Sequence, residues 1–173
     1  MRRVSDGVVL AGGLSRRLGF PKCTAEIQGR PLIVCVIDAM RQAGLRVHVV
    51  AKHDSALPPG VTATLVEPPL PVHPLVGLAH ALNDLGRPII VCPCDLPFVP
   101  VALFQSLALR TDAHATVVRH LGTVQPLLGC YTPASAQAVA ATLAVEGAAR
   151  DVLRRLGGAA EIVDLDGMPF ATD

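Results

Sequence analysis

Gly7-Val8-Val9-Leu10-Ala11-Gly12-Gly13-Leu14-Ser15-Arg16-Arg17-Leu18-Gly19-Phe20-Pro21-Lys22 opens on a short apolar run and breaks at two adjacent glycines. Val8, Val9 and Leu10 suit a buried strand, and Gly12-Gly13 ends it in a loop that Arg16, Arg17 and Lys22 make basic. Glycines after a strand let backbone amides approach an anion, because no Cβ intervenes and unusual φ values are open to them. Three cations beside such a loop suit a polyphosphate. A Walker loop is excluded, since Lys22 follows Pro21 and precedes Cys23, and Gly12, Gly13 and Gly19 do not have the spacing of a dinucleotide fingerprint. On composition alone, a phosphate loop and a solvated glycine turn are equally open readings.

Outward from this loop the hydrophobic period alternates. Leu32, Val34, Cys35, Ile37 and Met40 recur at helical spacing, with Pro31 suited to the first turn and Gly44 to the stop. Leu45 to Ala51 and Val61 to Val66 read as strands, separated by a turn containing Pro58, Pro59 and Gly60. Pro74 to Leu85 is helical and ends at Gly86, and Pro88 to Cys92 is a continuous apolar run of the kind that parallel sheets bury on both faces. Val101 to Leu109 reads as a helix, Ala115 to Arg119 and Val124 to Tyr131 as strands, Ala134 to Leu143 and Arg150 to Leu156 as helices, and Glu161 to Leu165 as a last strand. The alternation predicts an α/β fold: a mostly parallel sheet with helices on both faces and ligands at the carboxyl ends of its strands. No repeat or linker interrupts the pattern, so residues 1–173 are expected to form one domain.

Composition narrows the partners. With 15 Lys+Arg against 14 Asp+Glu the formal net charge is +1, which gives no field to hold a nucleic acid, and 3% aromatic residues without Trp make a poor base-stacking surface. Cys23, Cys35, Cys92, Cys94 and Cys130 form no C-x-x-C pair and read as reduced thiols of a cytoplasmic protein, Cys92 and Cys94 as buried structural ones. The basic start followed by a short, glycine-broken apolar run predicts neither a signal peptide nor a membrane span. Ser15, Ser55, Ser106 and Ser135 lack a nucleophile elbow, and His48, His53, His73, His80, His114 and His120 lack zinc-ligand spacing.

Leu10, Ala11, Gly12, Gly13, Ser15, Arg17, Gly19 and Lys22 follow the pattern L-A-G-G-x-S-x-R-x-G-x-x-K, which resembles the signature of the molybdenum cofactor guanylyltransferases and related MobA-like nucleotidyltransferases. Three further stretches are similar to that family in the same order. His73-Pro74-Leu75-Val76-Gly77-Leu78 resembles its G-P-L-A-G-L helix start, Cys94-Asp95-Leu96-Pro97-Phe98 its C-D-x-P-F metal segment, and Gln125-Pro126-Leu127 its Q-P-L.

The resemblance implies a three-layer, Rossmann-like nucleotide-diphospho-sugar-transferase fold and transfer of GMP from Mg-GTP to the phosphate of molybdopterin, with release of pyrophosphate. It implies that backbone groups of Leu10, Ala11, Gly12 and Gly13 hold the nucleotide, that Lys22 and Arg17 meet its phosphates, and that Asp95 binds Mg²⁺. A carboxylate at the end of a buried strand is a physically sensible magnesium ligand. Glu67 stands near the place of a family Asp at the end of the third strand, and Arg150 where relatives carry a basic residue that could meet the acceptor. A monomer or weak homo-oligomer, with molybdoenzymes or cofactor-biosynthesis proteins as partners, goes with that reading.

The pattern also departs from the family. His73 replaces a Gly, the stretch Val50-Ala51-Lys52 lacks an Asn, and Phe170-Ala171-Thr172-Asp173 stands where relatives continue, so that either Asp173 supplies a late carboxylate or that half of the metal site is missing. A pterin cytidylyltransferase resembles L-A-A-G at the loop, with Ala where Gly12 stands. That enzyme, a sugar-phosphate nucleotidyltransferase and a non-catalytic nucleotide-binding domain are the rival readings.

Overall fold

A computed structural model of the chain describes residues 3–12 and 22–166, with Lys22 represented by its backbone. The first strand, β1 (Asp6–Leu10), is flanked on both sides by parallel neighbours: β4 (Arg46–Ala51) on one and β6 (Ile89–Pro93) on the other. The sheet extends beyond β4 through the two-residue β5 (Leu65–Val66), and beyond β6 through β8 (Thr123–Tyr131), β7 (Ala115–His120) and β9 (Ala160–Asp164). Its order is β5-β4-β1-β6-β8-β7-β9, parallel throughout except for β8, which runs against both its neighbours. The mostly parallel sheet expected from the alternation is present.

Side-chain alternation along the strands divides the core into two layers. Val9, Ile90 and Cys92 point to the face covered by α1 (Leu32–Gln42) and α3 (Val101–Leu107); Val8, Ile89 and Val91 point to the face covered by α2 (Leu75–Leu85), α4 (Ala136–Leu143) and α5 (Ala149–Leu156). Both sides of β1 and β6 are therefore buried, which is why their sequences are continuous apolar runs. α1 stops where Gly44 takes φ 84° and donates to Arg41 O at 2.9 Å; α2 stops at Gly86, with φ 58° and a bond to Leu82 O at 3.0 Å.

Several boundaries differ from the sequence expectation. Of Val61 to Val66 only Leu65–Val66 is strand: Thr64 Oγ1 accepts the Val49 N–H at 2.9 Å, so a side chain takes the place of a ladder bond there. The helix expected to reach Leu109 ends at Leu107, where Leu109 and Arg110 form tight turns back to Ser106 and Leu107. Residues Pro133–Ser135 form a 3₁₀ turn before α4 begins. A small hairpin of β2 (Glu26–Ile27) and β3 (Arg30–Pro31) was not expected; Gln28 and Gly29, both at positive φ, make its turn, and Ala25 O accepts the Leu32 N–H at 2.9 Å to join it to α1.

Candidate functional site

The strands β1, β4, β5 and β6 end at one edge of the sheet, and the segment that follows each carries a singled-out residue: Ala11-Gly12, Lys52, Glu67, and Cys94-Asp95. Backbone bonds continue past the strand ends and hold these segments together. Ala11 N–H donates to Val50 O at 2.8 Å, Cys94 N–H to Leu10 O at 3.1 Å, and Glu67 N–H to Ala51 O at 3.0 Å. The chain leaves β1 for β4 on one side and later returns to β6 on the other, so the connections diverge at β1. Such a divergence opens a crevice at the carboxyl ends of open α/β sheets, where ligands bind. β8 is antiparallel to β6 in the register Val91↔Gly129, so its first half, with Gln125-Pro126-Leu127, lies toward the same edge. The described residues of the loop motif, Asp95 and the Gln125-Pro126-Leu127 stretch thus lie toward one edge.

Glu67 is the tightest feature of this edge. It is 6% exposed, and its carboxylate lies against two glycines at once: a Cβ on Gly12 would fall 1.8 Å from Oε1, and one on Gly77 2.8 Å from Oε2. Gly77 lies in the first turn of α2, whose N-terminal dipole favours a negative charge. Burial nevertheless pushes the Glu67 carboxyl above its ordinary range, with Lys52 and His80 partly offsetting it. Lys52 also donates to the Pro68 and Pro69 carbonyls, securing the loop after Glu67. His73, where the family pattern has Gly, takes a helix-entry role: its Nδ1 accepts the Leu75 N–H at 3.1 Å.

The turn that begins at Lys22 (Lys22–Thr24) meets the end of β6 through sulfur. Cys23 Sγ lies 2.8 Å from Cys94 Sγ and donates to Ala11 O at 3.4 Å, so the residue after Lys22 touches the residue before Asp95. The backbone of Lys22 and Asp95, distant in sequence, therefore share one corner of the edge. Asp95 is half-buried, and its charge acts on the thiols around it. Burial, reinforced by Asp95, raises the Cys92 thiol; the hydrogen bond between Cys23 and Cys94, together with burial, raises Cys94, while at Cys23 the same bond outweighs burial and lowers the thiol. Among the described residues, no three His, Cys, Asp or Glu side chains gather as a metal cage. Gly13, Arg16, Arg17, Asp173 and the Lys22 side chain lie outside the described residues. Arg150 is exposed in the first turn of α5.

A charge network around a buried aspartate, which sequence reasoning missed, lies at the opposite ends of the strands. Asp6, with no exposed surface, accepts from Arg46 Nε at 2.9 Å, from Arg87 Nε at 2.7 Å and Nη2 at 3.1 Å, and from Ser5 Oγ at 3.0 Å, and pairs with His48 Nε2 at 2.9 Å. Burial alone would raise its carboxyl, but these partners outweigh that and hold it well below the usual carboxylate range. The signal available in the sequence was an Asp leading directly into a strand that is otherwise fully apolar. Other histidines also have local partners: His80 faces Asp84 at 3.6 Å, and His120 Nδ1 meets Asp166 at 2.7 Å.

Comparison with known proteins agrees with this fold. A family model described as the MobA-like NTP transferase domain matches residues 7–160. The molybdenum cofactor guanylyltransferase of Cereibacter sphaeroides is 31% identical over 143 residues, which cover 80% of this chain and 74% of that one. Among solved structures, the molybdopterin-guanine dinucleotide biosynthesis protein A of Archaeoglobus fulgidus has a TM-score of 0.72 at 19% identity, covering 92% of this chain and 83% of that one. Rv0371c of Mycobacterium tuberculosis H37Rv, solved in complex with manganese, has a TM-score of 0.63 at 18% identity, covering 94% and 88%. The chain belongs to the MobA-like NTP transferase family, a family of nucleotidyltransferases.

Proposed function

We propose that the chain transfers GMP from Mg-GTP to the terminal phosphate of molybdopterin and releases pyrophosphate. The observation that carries this reading is the convergence of Gly12, Glu67, Gly77 and Asp95 at one strand-end edge, in a chain whose relatives are named guanylyltransferases. A phosphate monoester is already nucleophilic at neutral pH, so the reaction needs alignment and charge neutralisation more than a protein nucleophile. Backbone groups of Leu10, Ala11, Gly12 and Gly13 would cradle the nucleotide, Lys22 and Arg17 would meet its phosphates, and the Glu67 carboxylate would accept from nucleoside N–H or O–H groups.

The residues present fit a magnesium ion. Asp95 offers a hard carboxylate at a strand end, and Mg²⁺ uses one or two carboxylates with substrate phosphates and waters instead of a full protein cage. When bound there, Mg²⁺ would neutralise charge on the transferring phosphoryl group. The work of this chain's own residues is to orient the α-phosphorus toward the acceptor oxygen and to hold the departing pyrophosphate. Gly12 sets this loop apart from the L-A-A-G pattern of the pterin cytidylyltransferases, because an alanine there would put its Cβ 1.8 Å from Glu67 Oε1.

A pyrophosphate-release assay with GTP, CTP, ATP and UTP, with and without molybdopterin, tests the reading. Release that requires both GTP and molybdopterin supports it. Release with CTP in preference moves the reading to cytidylyl transfer, and no release with any triphosphate removes the enzymatic assignment.

A further inference from the structure

We propose that Cys23 and Cys94 form a reversible intrachain disulfide that staples the Lys22 turn to the Asp95 end of β6 and slows the enzyme. The thiols lie 71 residues apart in sequence but 2.8 Å apart at sulfur, inside van der Waals contact and about 0.8 Å longer than a disulfide bond. Both are buried, at 4% and 6% exposure, yet they sit at the strand-end edge; Cys92 and Cys130 are buried at 0% and 1% within the sheet. Cys94 is fixed by its N–H bond to Leu10 O, so closing the bond draws the Lys22 turn toward β6.

The chemistry balances with a small-molecule disulfide as oxidant. The Cys23 thiolate attacks one sulfur of that disulfide and expels the first small thiolate, leaving a mixed disulfide on Cys23. The Cys94 thiolate then attacks Cys23 Sγ and expels the second. Two electrons pass from the cysteine pair to the oxidant, and the two cysteine protons end on the two released thiols. Nucleotidyl transfer depends on alignment, and displacement by about 1 Å can reduce such a reaction about a hundredfold. The slowing rests on the proposed nucleotidyl transfer; the disulfide itself does not.

The test treats the full chain with oxidised glutathione, blocks the remaining thiols, and maps peptides without reductant. The expected result is a peptide pair joined through Cys23 and Cys94, lost in Cys23→Ser and Cys94→Ser but retained in Cys35→Ser. Cross-linking a loop of this length should raise the thermal midpoint by on the order of 10 °C, reversed by dithiothreitol. GTP turnover of the oxidised protein should fall at least tenfold and recover on reduction. Two free thiols at Cys23 and Cys94 after oxidation, or a linkage between other cysteines, overturns the site. A linked protein with undiminished turnover overturns the slowing. Reduced protein without turnover contradicts the proposed function, while the peptide map and melting shift still decide the disulfide.

Discussion

Replacing Gly12 by Ala perturbs the place where the loop, Glu67 and α2 meet. Gly12 is not among the glycines at positive φ, so Ala can adopt its backbone, and the penalty comes from contact. The added Cβ would stand 1.8 Å from Oε1 and 2.5 Å from Cδ of Glu67, against an ordinary contact of 3.4 Å or more. The carboxylate must shift by well over 1 Å, in a site where it already lies close against Gly77, whose missing side chain would stand 2.8 Å from Oε2. Overpacking of this kind costs about 1–3 kcal/mol, which corresponds to roughly 2–10 °C in thermal midpoint for a protein of this size. The decisive assay is a double-mutant cycle by urea unfolding. In a Glu67→Ala background the clash is absent, so Gly12→Ala should then cost less than about 0.5 kcal/mol, a coupling of about 0.5–3 kcal/mol. Additive effects within about 0.5 kcal/mol would refute the contact.

Further expectations concern charge. Because burial raises the folded-state pKa of Glu67, the folded protein holds a proton that the unfolded chain releases, and stability falls as pH rises from the ordinary carboxyl range through the raised value. Glu67→Gln should therefore gain stability relative to the parent between pH 4.5 and 7.5 in urea melts; a constant difference across that range would contradict it. Asp6 has the opposite sign: its depressed pKa contributes stability that is present above the ordinary carboxyl range and lost as pH falls below it. Asp6→Ala should cost about 1–3 kcal/mol at pH 7, because Arg46 and Arg87 lose their shared acceptor but remain largely solvated, and should flatten the acid limb of the stability curve. Asp95→Asn should abolish magnesium-dependent turnover with an unchanged far-ultraviolet spectrum, and Lys22→Ala should weaken triphosphate binding and turnover together. Full activity in either variant would remove that residue from the site.

The central strands were legible because β1 and β6 are buried on both faces, and burial on both faces writes itself as an unbroken apolar run. Helix ends were legible where Gly44 and Gly86 take left-handed backbone. β5 was overextended because Val61 and Ala63 look strand-like, whereas their segment is tied to β4 through the Thr64 side chain. The Glu26–Pro31 hairpin escaped because each strand has two residues, too short for any period. At the candidate site, the glycine loop and Asp95 belong to local motifs that stand out in the sequence alone. The pinning of Glu67 by Gly12 and Gly77, the sulfur contact of Cys23 with Cys94, and the Asp6 network each join residues through the sheet register, which no local window contains.

Amide hydrogen exchange with and without Mg-GTP tests the central claim most directly, because it locates the nucleotide whatever the acceptor. Peptides covering residues 8–24, 66–78 and 92–98 should gain protection together, while those carrying Ser5-Asp6, Arg46 and Arg87 at the far ends of the strands should not. Protection confined to those far ends, or absent at saturating nucleotide, would contradict it.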